Sequence, residues 1–262
     1  MNSFSPKVSA AVLCSIVILT YVFTSSLSFS ADEKEQTKDL TARVNSGETE
    51  TLTSYYMEYP EAMTEAVGAT WLPHIIVKSS IPVEKKIELL RFYVERGGDL
   101  DLRDKGGNTP LLVALSSALT VSAETAKVAD YLIENRASLE LQGENGVTFL
   151  HLLSIKNDER NSVLRLAENA LKNAPLLINA PDAAGKTPLQ YAVKGKSEKM
   201  VRWLLENGAD SSIEDKTGDS AEDLAQFLSE EEDSTTDSHT SENVLKLIQT
   251  KNLLNGNLSL PR

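Results

Sequence analysis

Three histidines (His74, His151, His239) and one cysteine (Cys14) are the side chains best suited to nucleophilic, proton-transfer or metal chemistry, set among 38 carboxylates. Such chemistry needs groups that converge at definite spacings. Examples are His-Glu-x-x-His on one helix face, Gly-x-Ser-x-Gly at a strand-to-helix elbow, or a Gly-rich turn cradling phosphate. None of these patterns occurs. Asp and Glu fall mainly at turns and on solvent faces, where charge serves solubility. The acidic stretch SEEEDSTTDSHTSE (Ser229 to Glu242) lacks the alternating spacing of a calcium loop and reads as a solvated insertion that includes His239. The chain therefore reads as non-catalytic, with no cofactor and no metal.

The elements that would position any site repeat along the chain. GNTPLLVAL at Gly107 returns as GVTFLHLLS at Gly146 and GKTPLQYAV at Gly185. With Gly68-Ala-Thr70 and Gly218-Asp-Ser220 the motif occurs five times, at intervals of 39, 39, 39 and 33 residues. A fixed period of this size signals stacked supersecondary units. In each, Gly permits a positive φ, and Thr109, Thr148, Thr187 or Ser220 can cap a helix. Pro110 and Pro188 suit the first helical position. A second amphipathic helix follows, as in SEKMVRWLLENG (Ser197 to Gly208), with Met200, Val201, Leu204 and Leu205 on one face. Units are expected near 35–67, 68–106, 107–145, 146–184, 185–217 and 218–255, the last with the insertion at 229–242, before a tail at 256–262. Thr109 and Leu132 are 23 positions apart, whereas Thr187 and Leu204 are 17 apart. The six extra residues lie between the two helices.

The first thirty residues read differently. Lys7 is their only charge, and the apolar stretch VSAAVLCSIVILTYVF precedes the polar run TSSLSFS. This is the order of a secretory signal, with cleavage expected before Ala31; the alternative is an uncleaved anchor. Either places the remainder outside the cytosol. No cysteine follows Cys14, so residues 31–262 hold together without a disulfide. They carry 25 basic and 38 acidic side chains, net −13, which disfavours nucleic acid and anionic membranes and favours a basic protein partner.

Thr187-Pro188-Leu189-Gln190-Tyr191-Ala192, followed by Leu204-Leu205-Glu206-Asn207-Gly208-Ala209-Asp210, resembles the ankyrin repeat. The likeness extends over roughly residues 35 to 255 and implies an all-α solenoid of about six helix-turn-helix units with extended turn tips. His151 stands at the family's Thr-x-Leu-His position, which implies a structural bond to neighbouring turn backbone. His74 has no such assignment. The family keeps the inter-helix connection short, so the longer loops here are a departure that offers extra surface. The resemblance also implies that first helices and tips line a concave recognition surface. Four residues after each expected cap stand His74, Val113, Leu152, Tyr191 and Leu224. They form either an apolar floor for a partner or a column that the tips cover. Arg103, Lys105, Gln142, Glu144, Asn145, Asp182 and Lys216 would form its polar border.

The function implied is protein binding by a chain that is monomeric when free and exported to a bacterial periplasm, with secretion as the alternative. Among the proteins this resembles are immunity proteins that neutralise a toxin in the periplasm by binding it, and the negative charge here would favour a basic one. Two alternatives stand beside this reading. One is a periplasmic accessory factor for an enzyme such as catalase in peroxide protection, where His74 would have a haem-related role. The other is a membrane-anchored scaffold.

Overall fold

A computed structural model of the chain describes residues 31–58, 72–116, 120–156, 161–231 and 240–254. The signal-like segment, Gly68-Ala-Thr70, His239 and residues 232–239 of the acidic insertion lie outside these. Twelve α-helices pair into six hairpins among the described residues. They are α1 (Ala31–Ser46) with α2 (Thr49–Glu58), α3 (Leu72–Lys78) with α4 (Val83–Glu95), and α5 (Pro110–Ser116) with α6 (Ala123–Glu134). Then come α7 (Phe149–Ser154) with α8 (Ser162–Asn173), α9 (Pro188–Lys194) with α10 (Glu198–Glu206), and α11 (Ala221–Glu231) with α12 (Thr240–Leu254). First helices pack in one row in the order α1, α3, α5, α7, α9, α11. Second helices form a parallel row behind them, in which α2, α4, α6 and α8 touch in turn and α10 touches α12.

Each short first helix is apolar on nearly every side because it is sandwiched. Leu111, Leu115, Phe149, Leu150, Leu153 and Leu189 are at most 1% exposed. They meet Leu132, Leu166, Ala170, Val201 and Leu204 of the second row, so the core runs as one continuous layer between the two rows. α1 differs: Leu40 and Val44, one turn apart, are buried while the rest of the helix is largely polar, as a terminal unit of a stack requires.

The helix starts follow the capping chemistry read from the sequence. The hydroxyl oxygens of Thr109, Thr148, Thr187 and Ser220 accept the backbone N–H of Leu112, His151, Gln190 and Asp223. Three of these are reciprocal boxes, since His151 Nδ1, Gln190 Oε1 and Asp223 Oδ2 accept the N–H of the capping residue at 3.1, 2.7 and 2.9 Å.

Turn tips are built on a carboxylate. Asp104 Oδ1 accepts from Gly106 and Asn108 N–H, Asp182 Oδ1 from Ala184 and Lys186, and Asp215 Oδ1 from Thr217 and Asp219. Gly143 takes that place in the intervening tip. Here Asn108 Oδ1 reaches across to Glu144 N–H at 3.2 Å, and a Cβ on Gly143 would stand 2.3 Å from that oxygen. Successive tips also bond directly, Ala183 N–H to Asn145 O at 2.8 Å and Lys216 N–H to Ala184 O at 2.9 Å.

The longer inter-helix connections turn partly inward. Val121 and Lys156 are 8% and 4% exposed, and Ile81 packs on the core, so only part of each insertion is free surface. The turn before Asp182, one residue longer than its counterparts, winds into a 3₁₀ helix (Pro175–Asn179) that buries Leu177 and leaves Leu176 83% exposed.

Candidate functional site

His74 is the third residue of α3 (Leu72–Lys78), as His151 is of α7 (Phe149–Ser154) and Gln190 of α9 (Pro188–Lys194). The expected register of this unit was therefore one residue early. His74 moves into the place held by His151 and Gln190, and its chemistry confirms the shift. His74 Nε2 lies 2.8 Å from Asn108 O, His151 Nε2 lies 2.9 Å from Lys186 O, and Gln190 Nε2 donates to Asp219 O at 2.6 Å. In each case the acceptor is the residue just before the next helix cap. These three side chains staple one hairpin to the next.

His74 is thus removed from the proposed floor: it is fully buried, and Ile75, 7% exposed, stands in its stead at the fourth position of α3, as Val113, Leu152 and Tyr191 do in their helices. Val113 is also withdrawn, at 2% exposed. Leu152, Tyr191 and Leu224 are only partly covered. One turn further along the same helix faces lie Ile155, Lys194 and Phe227, partly or fully open, with Phe227 55% exposed. What remains is an apolar strip across the last three hairpins: Leu152, Ile155, Tyr191, Leu224 and Phe227. The i, i+3 spacing from Leu152 and Leu224 is the signal that would have found Ile155 and Phe227.

At the border, Arg103, Lys105, Gln142, Glu144, Asn145 and Lys216 are exposed. Several also knit tips together. Arg103 Nη1 donates to Gly107 O and to Gln142 O, and Gln142 Nε2 donates to Pro181 O at 3.3 Å. Asp182 is half-buried and structural: besides its turn bonds, its Oδ2 accepts the Tyr191 hydroxyl at 2.8 Å. That hydroxyl is held well above the usual tyrosine range, by burial first and then by Asp182. The Tyr191 ring lies edge-on to His151 with centroids 4.9 Å apart, so the strip's one polar-tipped aromatic is fixed in place.

Burial lowers the pKa of both His74 and His151, against the opposing pull of their backbone acceptors and of Asp104 and Asp182. Each is neutral when folded, with Nδ1 of His151 accepting from Thr148 N–H and Nε2 donating to Lys186 O. A folded pKa below the unfolded value of about 6.5 means the unfolded chain takes up protons first on acidification. The stabilisation is complete above that value and is lost as pH falls through the folded pKa. Gln190 makes the same two bonds without titrating. His151→Gln is therefore expected to stay within about 1 kcal/mol of the parent at pH 7.5 and to decline less steeply between pH 6.5 and 5 in urea unfolding. Equal slopes for the two proteins would show that His151 is not held neutral.

Among the described residues no group of three or more His, Cys, Asp or Glu is placed to hold a metal ion. Nor is any described helix long and apolar enough to cross a membrane.

A family model described as "Ankyrin repeats (3 copies)" matches residues 118–215. The hairpins of this stretch have the ankyrin-repeat fold. Phosphocholine transferase AnkX of Legionella pneumophila is 30% identical over 135 residues, 50% of this chain and 13% of that protein. An ankyrin repeat protein of Rickettsia bellii is 26% identical over 125 residues, 48% of this chain and 34% of that protein. The chain spans about a third or less of the length of these relatives, and the transferase activity is a property of the whole Legionella protein. Among solved structures, a chain in the complex of the Bd0816 predatory endopeptidase from Bdellovibrio bacteriovorus with immunity protein Bd3460 superposes with a TM-score of 0.62 at 19% identity. The match covers 80% of this chain and 97% of that one, and it shows the shared fold. Ankyrin stacks of this kind are protein-binding modules, and the strip and tips lie on the first-helix side.

Proposed function

We propose that this ankyrin stack acts outside the cytosol as an immunity-type protein, neutralising a toxin by covering it. The observation that carries the protein-binding part is the partly covered strip of Leu152, Ile155, Tyr191 and Leu224, with Phe227 55% exposed, beside exposed tips, since exposed apolar side chains grouped on one face mark interaction sites. Export is supported by the signal-like order of the first thirty residues and by the cysteine-free remainder. The immunity reading is supported by the likeness to a structure that contains an immunity protein and the enzyme it binds. Net charge of −13 over residues 31–262 favours rapid encounter with a basic toxin.

Affinity capture from native extract with residues 31–262 as bait tests this when paired with Leu224→Asp/Phe227→Asp, a bait altered only on the strip. A basic secreted protein retained by the parent and lost from the variant is the expected result. Equal retention by both baits would place binding elsewhere, and recovery of an oxidoreductase would turn the reading towards the enzyme-accessory alternative. Deletion of the gene is expected to sensitise cells only where the toxin is present, and sequencing the exported protein should begin at Ala31. A chain that still carries residues 8–29 would instead be the anchored form.

A further inference from the structure

Phe227 is the most exposed residue of the strip, and its surroundings are acidic. Within α11 it lies one turn after Asp223 and one turn before Glu230, at i−4 and i+3, so the three share a face of the helix. Both carboxylates are exposed. Asp223 Oδ2 accepts from the Ser220 hydroxyl and N–H, which hold its pKa below the usual carboxylate value, and Glu230 Oε1 accepts from Gln226 Nε2. These bonds fix each carboxylate through one oxygen and do not use the other. Residues 219–231 contain five acids, Asp219, Glu222, Asp223, Glu230 and Glu231, and no base.

An aromatic face between carboxylates is the complement of an arginine. The guanidinium plane stacks on the ring while its N–H groups reach the acids. The chain builds this arrangement for itself elsewhere. Arg43 lies over the Tyr55 ring at 5.3 Å, while its Nε donates to Asp39 Oδ2 at 3.0 Å and its Nη2 stands 3.8 Å from Glu58 Oε2. Phe92 likewise carries Arg96 at 3.6 Å. No cation among the described residues stands over Phe227 or pairs with Asp223 or Glu230. Resting on the reading of the strip as the binding face, we propose that its α11 end receives an arginine of the partner protein, stacked on Phe227 between Asp223 and Glu230, with an adjacent apolar side chain of the partner on Leu224. The floor alone would accept any apolar segment, and the carboxylates select a basic one.

Two peptides serve as probes: acetyl-Leu-Arg-Leu-amide and its citrulline counterpart, equal in shape but uncharged. The full chain labelled with para-fluorophenylalanine reports binding, and the fluorine resonance that disappears in Phe227→Leu is assigned to Phe227. That resonance should shift saturably with the arginine peptide, which is expected to bind at least about three-fold tighter than the citrulline peptide. Glu230→Gln, an exposed position outside the helix cap, should erase about two- to five-fold of the arginine affinity and leave the citrulline affinity unchanged. Equal affinity for the two peptides, indifference to Glu230→Gln, or no shift of the Phe227 resonance would overturn the proposal. The strip is judged separately by capture. A partner lost from the Leu224→Asp/Phe227→Asp bait but held equally by the Glu230→Gln and parent baits would strike the arginine seat and leave the strip standing. Equal capture by the parent and the strip variant would remove both.

Discussion

Phe149→Ala is expected to cost about 3–5 kcal/mol, the range for removing a fully buried aromatic ring and leaving a cavity. Phe149 is 0% exposed at the first position of α7, which packs against α5 and α9 within its row and against α8 behind it. A stack is close to one-dimensional: each hairpin rests on its two neighbours, and its stability is roughly a sum of unit and interface contributions. A defect in the central hairpin therefore weakens both interfaces it makes. Urea unfolding of Phe149→Ala should show a lower midpoint and two resolved steps, as the hairpins on either side lose their coupling. Leu40→Ala, in the terminal hairpin, also removes a fully buried side chain but should leave one main transition. If both variants unfolded in a single step with the same loss, the hairpins would share one indivisible core.

Gly146→Ala is expected to be markedly more harmful than Gly107→Ala, although the two glycines have nearly the same backbone, φ +74° and +75°. Any side chain in this left-handed region costs about 1–2 kcal/mol. At Gly107 nothing lies within 4 Å of the added Cβ, so that strain is the whole effect. At Gly146 the Cβ would stand 2.6 Å from Ala183 N and 3.1 Å from Asp182 C, which are backbone atoms of the next tip. The tip must move, and the bond from Ala183 N–H to Asn145 O is the first to go. The two variants should differ by at least about 1 kcal/mol in urea unfolding, and the Ala183 amide should lose hydrogen-exchange protection only in Gly146→Ala. Equal effects would mean that successive tips are not in contact.

Why the architecture was so legible lies in local chemistry. The Gly, the capping Thr and the apolar run of each unit act within a few residues of one another, and every one of those caps that falls in the described residues forms as expected. The register of the α3 unit is read one residue early because the telling contact is not local. Gly68 and Thr70 keep the 39-residue interval, while the place of His74 in its helix is seen from its bond to Asn108, 34 residues away. Spacing alone could not see that partner. The site was less legible because exposure depends on what neighbouring units cover: Val113 and Leu152 occupy equivalent positions, yet one is buried and the other only partly covered. Leu176 shows the converse: in a turn one residue longer than its counterparts it stays 83% exposed beside the buried Leu177.

Site-directed photo-crosslinking in the native cells tests the protein-binding claim most directly. A photoreactive residue is placed in turn at Glu144, Lys216 and Phe227, on the tips and strip, and at Lys127 and Lys172, on the second-helix row. Covalent capture of one and the same protein from the first three positions, and of none from the last two, is the result expected. Capture only from Lys127 or Lys172, or from no position at all, would contradict it.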